Sequence, residues 1–231
     1  MTVDDVPLSP TARTVVMRGS NRASLERATL LDVLRSARIC HVGVVVAGLP
    51  RVVPTVFGVD PNGPDREGTL YLHGSVASRS MIDAPEQDIC VTTTVVDGLV
   101  LARSAFHHSM NYRSAVVVGR PRRVEDADER IRALDAIVDQ VVPGRSAHLP
   151  SHTRKELAAT AVLALPMYEA SVKSRTGGPA DDDHDIRQSD VWAGVVPVWE
   201  ALGDAEPAEE LAEDIPVPDH VDALGRNAFR R

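Results

Sequence analysis

Short runs of β-branched residues, separated by turn signals, recur along this chain and limit the folds open to it. Ile39–Val46 is one such run; it ends at the hairpin signal Ala47-Gly48, and Arg51–Val59 reads as the returning strand. Pro54 interrupts the returning strand and cannot donate to a ladder, so it predicts an edge or a bulge with free neighbouring backbone. Repeated short strands joined by tight turns indicate an antiparallel barrel or sandwich.

Later parts of the chain continue this pattern and add helices. Asp97-Gly98 predicts a hairpin turn between two strands. Ser24 is a candidate cap for a helix, and Thr153 with Glu156 forms a possible capping box for another. The remaining predicted strands are Leu70–His73, Ile89–Val96, Leu99–Ser104, Tyr112–Val124, Val162–Val172 with an irregularity at Pro166, and Val191–Trp199. The longer predicted helices are Leu25–Ala37 and Asp126–Val142. The sequence therefore predicts a mainly β fold with helices, in the α+β class.

Several nucleotide-binding and metal-binding patterns are absent from the sequence. It has no βαβ rhythm, no GxGxxG and no Walker loop, which argues against a doubly wound nucleotide fold. It also has no CxxC pair and no HExxH, so no metal site is expected. His107 and His108 are adjacent and point in opposite directions in an extended segment, which disfavours a shared metal ion.

Charge is unevenly distributed along the 231 residues, which carry a net charge of −8. The acidic excess lies in residues 181–231, and no basic face for nucleic acid is indicated. We expect residues 1–23 to form an arm, residues 24–200 a single domain and residues 201–231 an acidic surface tail. The acidic stretch 181–190 has a composition typical of disorder.

Cysteine usage and the first residues of the chain bear on the compartment. Cys40 and Cys90 each adjoin apolar residues, which predicts buried thiols in a reducing environment rather than a disulfide. The opening residues lack the basic and apolar regions of a signal peptide, and no apolar run is long enough to span a bilayer. We therefore expect a cytoplasmic protein that binds neither membrane nor nucleic acid.

The stretch Leu70–Arg79 is the strongest candidate for a ligand site. A short strand is followed by Gly74 and then by Ser75, Ser78 and Arg79, where a helix is expected to begin. Two hydroxyls and an arginine fork suit a phosphate group, and a serine-capped helix with a surface arginine is the alternative. His73, at the end of the strand, is either a proton donor in an active site or a hydrogen-bonded packing residue.

Four segments together resemble the pyridoxamine 5′-phosphate oxidase-like family of FMN-binding split barrels, in its flavin-nucleotide-binding branch, which is similar to nitroimidazole reductases. The resemblance covers about residues 24–200. The segments are CHVGVVVAGLPRVVPT, LYLHGSVASRSM, DGLVLARSAFHHSMNYRSAVVVGRPRRVED and KSRTGGPADDD with VWAGVVPV.

The resemblance implies a six-stranded antiparallel Greek-key split barrel that forms a homodimer, with FMN in grooves at the subunit interface. It assigns the phosphate to Ser75, Ser78 and Arg79. The residues implied at the flavin ring and ribityl chain are Val53, Pro54, Thr55, Tyr71, Leu72 and His73.

Three further residues have an implied cofactor role and an ordinary alternative. Arg113 is expected either to reach the partner's flavin or to pair with a surface carboxylate. Lys173 lies in a basic turn with Arg175 and Thr176, which either closes over phosphate or substrate or is simply solvated. Trp192 is expected to stack on the isoalloxazine of the other subunit or to fill the interface.

The activity implied by the resemblance is that of an FMN-dependent oxidoreductase. It would pass electrons from a reduced nicotinamide or deazaflavin to a small acceptor such as a nitroaromatic compound or a quinone, with His73 as the candidate catalytic residue. The acidic tail replaces the arginine and histidine segment that holds the substrate in true oxidases, which disfavours vitamin B6 oxidation. The alternative is a non-catalytic flavin-binding, flavin-storage or haem-binding split barrel, since some members bind haem or deazaflavin.

Overall fold

A computed structural model describes Leu8 and residues 11–188, 190–212 and 214–227. The strands are β1 (Ala23–Ser24), β2 (Cys40–Val46), β3 (Leu49–Thr55), β4 (Phe57–Asp60), β5 (Thr69–Ser75), β6 (Ile89–Leu101), β7 (Ser109–Gly119), β8 (Arg122–Arg123), β9 (Thr160–Pro166), β10 (Ala170–Arg175) and β11 (Gly194–Pro197). The helices are α1 (Arg27–Ser36), α2 (Arg79–Asp83), α3 (Ala127–Val141), α4 (Arg154–Ala159), α5 (Asp183–Gln188) and α6 (Asp219–Asn227), with short 3₁₀ turns between several elements.

The strands of the described residues form two antiparallel sheets. The larger sheet has the order β1-β10-β7-β6-β2-β3, with β11 also paired to β6, and the smaller has the order β4-β5-β9-β8. The mainly β, α+β prediction is confirmed. Because the described strands make sheets of seven and four, the six-strand count remains an expectation.

Two apolar clusters hold the sheets in place. The larger fills the space between them and includes Leu30, Phe57, Leu72 and Leu163, each at most 2% exposed. The smaller lies on the other face of the β5–β9 pair, where α3 contributes Ala133 and Ile137. β5 is therefore covered on both faces, which explains its uniformly buried start.

The hairpin predicted at Ala47-Gly48 is confirmed. Both residues have positive φ, 52° and 77°, as a two-residue hairpin turn requires, and β2 and β3 pair on either side of it. The edge position predicted for Pro54 is also observed, because β3 is the last strand of its sheet.

The backbone nitrogen atoms of Pro50 and Pro54, which carry no hydrogen, face the outer edge of β3, away from β2. Val45, opposite Pro50, has both of its backbone groups bonded to the side chain of Gln87, so this pair is not hydrogen-bonded across the two strands. Pro54 lies four residues further along β3 and has the same orientation. Neither proline therefore interrupts the β2–β3 ladder.

The hairpin predicted at Asp97-Gly98 is wrong. β6 runs through both residues as one strand with a bulge between Val96 and Gly98. The carboxylate of Asp97 is held by Arg113, and its carbonyl accepts from the Val198 N–H. These partners, which are distant in sequence, keep the strand extended where local turn chemistry predicts a reversal.

Two predicted strands are each divided between the sheets. The run Arg51–Val59 breaks at Val56 into β3 and β4, and Val162–Val172 breaks after Pro166 into β9 and β10. The chain changes sheet at each break, because one straight strand cannot serve both layers.

Other elements differ from their predicted bounds. Ser24 does not cap α1; its hydroxyl accepts from the Glu26 N–H before the helix begins. The acidic stretch 181–190 contains α5 instead of being wholly irregular. The capping box of Thr153 and Glu156 is present as predicted.

The predicted N-terminal arm falls partly outside the described residues, which omit residues 1–7, 9 and 10. Leu8 is buried at 3% exposure, and Arg13 pairs with Asp88 and Glu169. Within the described part of the chain, no helix has the length and apolar character needed to cross a membrane.

Candidate functional site

A cavity of about 200 Å³ opens between β2, β3, the end of β5 and the short helix α2. Its described walls are mainly aliphatic, and their polar members are Thr55, His73, Ser78 and Ser80. Among the described residues that line the cavity there is no aspartate, glutamate, lysine or arginine. The lining residues are Val42, Val53, Thr55, Leu72, His73, Gly74, Ser78, Ser80, Met81, Ala84, Ile89 and Leu163.

The cavity brings together residues that the sequence predicted from two separate segments. Val53 and Thr55 come from β3, and they face the cavity because they alternate with the outward-directed Pro54. Leu72 and His73 come from β5, and Ser78 precedes α2. One apolar space therefore adjoins both the proline-interrupted edge strand and the start of α2.

The serine-arginine corner, which we define as residues 75–80, forms the polar end of the cavity. The Ser78 and Ser80 hydroxyl oxygens lie 3.0 Å apart, and Ser78 makes no side-chain capping bond to α2. Ser75 accepts a hydrogen bond from the Ala77 N–H at 3.2 Å and is exposed. The corner thus collects hydroxyl groups whose bonds are local and easily exchanged.

Arg79 lies at this corner with its side chain 69% exposed. Its Nη2 atom is 4.0 Å from the Asp83 carboxylate, at the outer limit of an ion pair. Exposed pairs of this kind contribute little to stability, so the guanidinium can turn toward a bound anion at small cost.

His73 borders the cavity and has an unusual environment. Its Nδ1 atom is buried and has no hydrogen-bond partner within the described part of the chain. Burial lowers the pKa of His73, so its imidazole is neutral at neutral pH. Strand alternation places the ring on the face of β5 that Tyr71 also occupies, opposite Leu72.

Tyr71 does not lie beside the cavity, contrary to the expectation that it would sit beneath a flavin. It is 1% exposed and packs in the smaller cluster against α3, because strand alternation turns it away from Leu72. Its hydroxyl donates to Glu129 at 3.2 Å. Burial and the negative charge of Glu129 raise the pKa of Tyr71 to about 12.

Arg113 lies outside the cavity lining, in the larger sheet. Its guanidinium makes two bonds of 3.0 Å to Asp97 and a further bond of 3.2 Å to Ser36. Asp97 raises the pKa of Arg113 through the hydrogen bond. Within one chain, Arg113 therefore pairs with a carboxylate, which is the second of the two alternatives expected from the sequence.

Lys173, Trp192 and Pro54 also lie outside the cavity lining. Lys173 lies within β10 and not in the predicted turn, and its ammonium donates to the Arg18 carbonyl at 2.8 Å, beside β1. Trp192 is 64% exposed and lies before β11. Pro54 is exposed at the edge of β3. A single chain therefore gathers only part of the predicted set.

Several lining residues carry no motif that sequence reasoning could recognise. Val42, Met81, Ala84, Ile89 and Leu163 are apolar residues that reach the cavity from different elements. Gly74 was expected only to end a strand, yet β5 continues to Ser75. A Cβ atom on Gly74 would lie 2.9 Å from Cγ of Met81, so glycine permits Met81 to close that wall.

His107 lies near acidic groups away from the cavity. Its Nε2 atom is 3.3 Å from an Asp182 carboxylate oxygen, and Asp185 completes a group whose potential ligand atoms lie within 4.8 Å. Asp182 is 78% exposed, as solvated acidic surface clusters commonly are.

Comparison with known proteins gives a family match and several structural matches. The family model described as pyridoxamine 5′-phosphate oxidase matches residues 26–174. The flavocytochrome Anf3 from Azotobacter vinelandii is 36% identical, with a TM-score of 0.85 over 94% of this chain and 98% of that one. No curated protein sequence gives a significant match.

Two other solved structures are informative. The FAD and heme binding protein from Mycobacterium smegmatis is 37% identical, with a TM-score of 0.80 over 88% of this chain and 97% of that one. A putative 5-nitroimidazole antibiotic resistance protein from Bacteroides thetaiotaomicron is 25% identical, with a TM-score of 0.52 over 65% of this chain and 85% of that one.

Proposed function

Because this chain belongs to the pyridoxamine 5′-phosphate oxidase family of flavin-binding split barrels, we propose that it binds a flavin nucleotide at the cavity and works as a flavin-dependent oxidoreductase. One observation carries the proposal. A single apolar cavity joins Val53 and Thr55 of the edge strand to Ser78 and Ser80 of the serine-arginine corner.

The corner fits the phosphate end of the cofactor. Hydroxyl groups of Ser75, Ser78 and Ser80 can donate to phosphate oxygens, and Arg79 can add a charge-assisted bond. The cavity itself has neutral walls, so the phosphate's charge belongs at the exposed corner and not deeper inside.

The cavity walls fit the uncharged part of the cofactor. Val53, Leu72 and Leu163 offer aliphatic contact and exclude water, while Thr55 supplies a hydroxyl group. Among the described strands β3 pairs only with β2, so the carbonyl groups on its outer edge can accept from N–H groups of the ring. The cofactor proposed from the family resemblance is FMN. FAD is an equal candidate, because the similar protein from Mycobacterium smegmatis is described as binding FAD.

A bound flavin supplies hydride and single-electron chemistry, and the chain supplies binding, orientation and exclusion of water. We propose a reduced nicotinamide or deazaflavin as the electron donor. The structural match to the 5-nitroimidazole antibiotic resistance protein supports a nitroaromatic acceptor, with a quinone as the alternative.

Haem is a second candidate ligand, favoured by the two relatives that share 36% and 37% identity and are described as a flavocytochrome and as a FAD and heme binding protein. His73 would be the residue to hold the iron, because iron binds neutral imidazole and the Nδ1 atom of this ring is buried without a hydrogen-bond partner in the described residues.

The lowered pKa of His73 bears on its proposed catalytic role. A neutral, desolvated imidazole is a weak acid, so His73 is less suited to proton delivery than to hydrogen bonding or iron ligation. Proton donation by His73 therefore requires a bound group that raises its pKa again.

We also propose a homodimer with the flavin at the subunit interface. Apolar side chains along β11 and its flanks are unusually exposed, among them Trp192 at 64% and Trp199 at 65%. Exposed apolar surface of this kind is typical of an association site. In a dimer, Arg113, Lys173 and Trp192 can approach a cofactor held by the other subunit.

A cytoplasmic location remains part of the proposal. Cys40 is buried, and burial raises the pKa of its thiol to about 12, so the thiol is unreactive. Cys90 is also free and is half-buried, not fully buried as predicted, and burial raises its pKa as well.

The test is to purify the protein, record its visible spectrum and identify the released ligand by mass spectrometry. Flavin that is bleached by NADPH or a reduced deazaflavin and reoxidised by a nitroaromatic compound or quinone supports the oxidoreductase. A Soret band supports haem. Bound flavin that none of these donors reduces would indicate a flavin carrier and contradict the proposed oxidoreductase activity.

A further inference from the structure

The short helix α2 cannot hold its own position. It has five residues, Arg79–Asp83, and its N-cap residue Ser78 gives it no side-chain capping bond. Isolated helices of this length are unstable in water, so neighbouring groups must fix it. Its position matters because Ser80 and Met81 line the cavity and Arg79 lies beside it.

The side-chain amide of Gln87 joins α2 to the larger sheet. Its Oε1 atom accepts from the Val45 N–H at 2.9 Å, and its Nε2 atom donates to the Val45 carbonyl at 2.7 Å. The same Nε2 atom donates to the carbonyl of Asp83, the last residue of α2, at 3.2 Å. One amide therefore bonds both backbone groups of Val45 in β2 and the C-terminal end of α2.

Gln87 lies beside β2 on the side away from β3, beyond the point where the described pairing with β6 ends. β6 pairs with β2 only over His41–Gly43, and the Gln87 amide continues the pairing at Val45. Without it, the Val45 N–H and carbonyl would need water or another partner. This arrangement fixes the distance between α2 and the strand that carries Val42 into the cavity.

Two arginines hold the same end of the helix. Arg123 of β8 donates to the Ile82 carbonyl at 3.1 Å, and Arg120 donates to the Glu86 carbonyl just beyond α2. Cationic groups stabilise the carbonyl end of a helix, and both arginines bind at that end, away from the corner. These bonds fix α2 at its C-terminal end, while the hydroxyl groups and Arg79 of the corner, at its N-terminal end, can still bind a phosphate.

We infer that Gln87 is a positioning residue for flavin binding: by tying Asp83 to Val45, it holds the serine-arginine corner in place for the cofactor's phosphate. The inference rests on the proposed function. Gln87 has no part in the cavity lining itself, so it acts through the position of α2.

The test uses Gln87→Leu, which removes all three bonds at similar size. Apoprotein is titrated with FMN and with riboflavin, which lacks the phosphate, and the two dissociation constants are compared. We expect the preference for FMN over riboflavin to fall about tenfold or more in Gln87→Leu, since a phosphate site depends on donors fixed in advance.

Gln140→Leu is the matched control. The Gln140 amide also bonds the end of a helix, donating to the carbonyls of Leu34 and Ala37 at 2.9 Å each, but at α1. It should cost similar stability and leave the FMN preference unchanged. Arg123→Ala, a change at an exposed residue, gives a second reading should Gln87→Leu not fold, and it should lower the preference in the same direction.

The outcomes separate the two proposals. A wild-type protein that binds neither FMN nor riboflavin removes the proposed function. One that binds FMN no better than riboflavin removes the phosphate corner and the positioning role with it. A wild-type preference that survives in both Gln87→Leu and Arg123→Ala keeps the proposed function and overturns the positioning role. A preference lost in these variants and retained in Gln140→Leu supports that role.

Discussion

The Tyr71 hydroxyl donates to the Glu129 carboxylate at 3.2 Å, which joins β5 to the first turn of α3. Glu129 also receives bonds from Arg122, which pairs with Asp65 as well. Phenylalanine at position 71 would keep the packing and remove only the hydroxyl. We expect Tyr71→Phe to lower the free energy of unfolding by about 1–2 kcal/mol, measured by urea denaturation.

This change also separates the two faces of β5. Because Tyr71 faces α3 and not the cavity, flavin affinity should not change in Tyr71→Phe. A large loss of flavin affinity without loss of stability would place the hydroxyl in the site after all.

Removal of the Arg79 side chain should weaken cofactor retention without unfolding the protein. Arg79→Ala removes the cationic group at the corner, and we expect the dissociation constant for FMN to rise about tenfold or more. Because the Arg79 side chain is 69% exposed, stability should change little. Flavin fluorescence titration measures the first effect and thermal denaturation the second.

Arg187→Ala is the matched control for this variant. Arg187 also pairs with an aspartate four positions away, Asp183, and its side chain is 70% exposed. Equal flavin retention in Arg79→Ala and wild type would remove Arg79 from the site.

His73 makes the stability of the protein sensitive to acid. Burial lowers its pKa in the folded chain, so the unfolded chain binds more protons as the pH falls below the ordinary value of about 6.5. Protonation linked to His73 therefore destabilises the folded chain below that value and has no effect well above it. We expect His73→Gln to reduce the loss of unfolding free energy between about pH 7.5 and about pH 5, measured by urea denaturation.

The stacked pair His148 and His220 gives the C-terminal helix α6 its own acid response. The rings are 4.2 Å apart at an angle of 11°, and Nε2 of His220 is buried without a hydrogen-bond partner in the described residues. Burial, His148 and Arg145 lower the pKa of His220, while Asp139 and Asp219 act in the opposite direction. Protonation in the free helix is therefore easier than in the docked one, and docking weakens as the pH falls below about 6.5.

Hydrogen exchange over residues 219–227 measures this response. Exchange should accelerate on acidification, after correction for the intrinsic pH dependence, more in wild type than in a His148→Gln, His220→Gln double variant. The same corrected acceleration in both proteins would show that the stack does not control docking.

Local signals in the sequence were sufficient for the elements whose stabilising contacts are also local. Ala47-Gly48 forms its hairpin, and Thr153 with Glu156 forms its capping box, because neighbouring residues supply the required conformations and bonds. Asp97-Gly98 has similar local chemistry but remains within β6, since Arg113 and β11 stabilise the extended chain. Long-range pairing outweighs the turn preference there.

The candidate site was predicted where its residues carry recognisable chemistry. Ser78 and Arg79 follow a strand end, and Val53 and Thr55 flank a proline, so the sequence marks both segments. Met81 and Leu163 are ordinary apolar residues in the sequence, and only folding brings them to the same cavity. Gln87 likewise gains its significance from a bond to Val45, 42 positions away.

The most direct test of the flavin site is the identity of the ligand in the purified protein and its dependence on Arg79. We predict that denaturation of the wild-type protein releases a flavin nucleotide, identified by mass spectrometry. The flavin content of Arg187→Ala should equal that of wild type, and the content of Arg79→Ala should be lower. Protein that contains no flavin, and whose apo form binds neither FMN nor FAD on titration, would contradict the account.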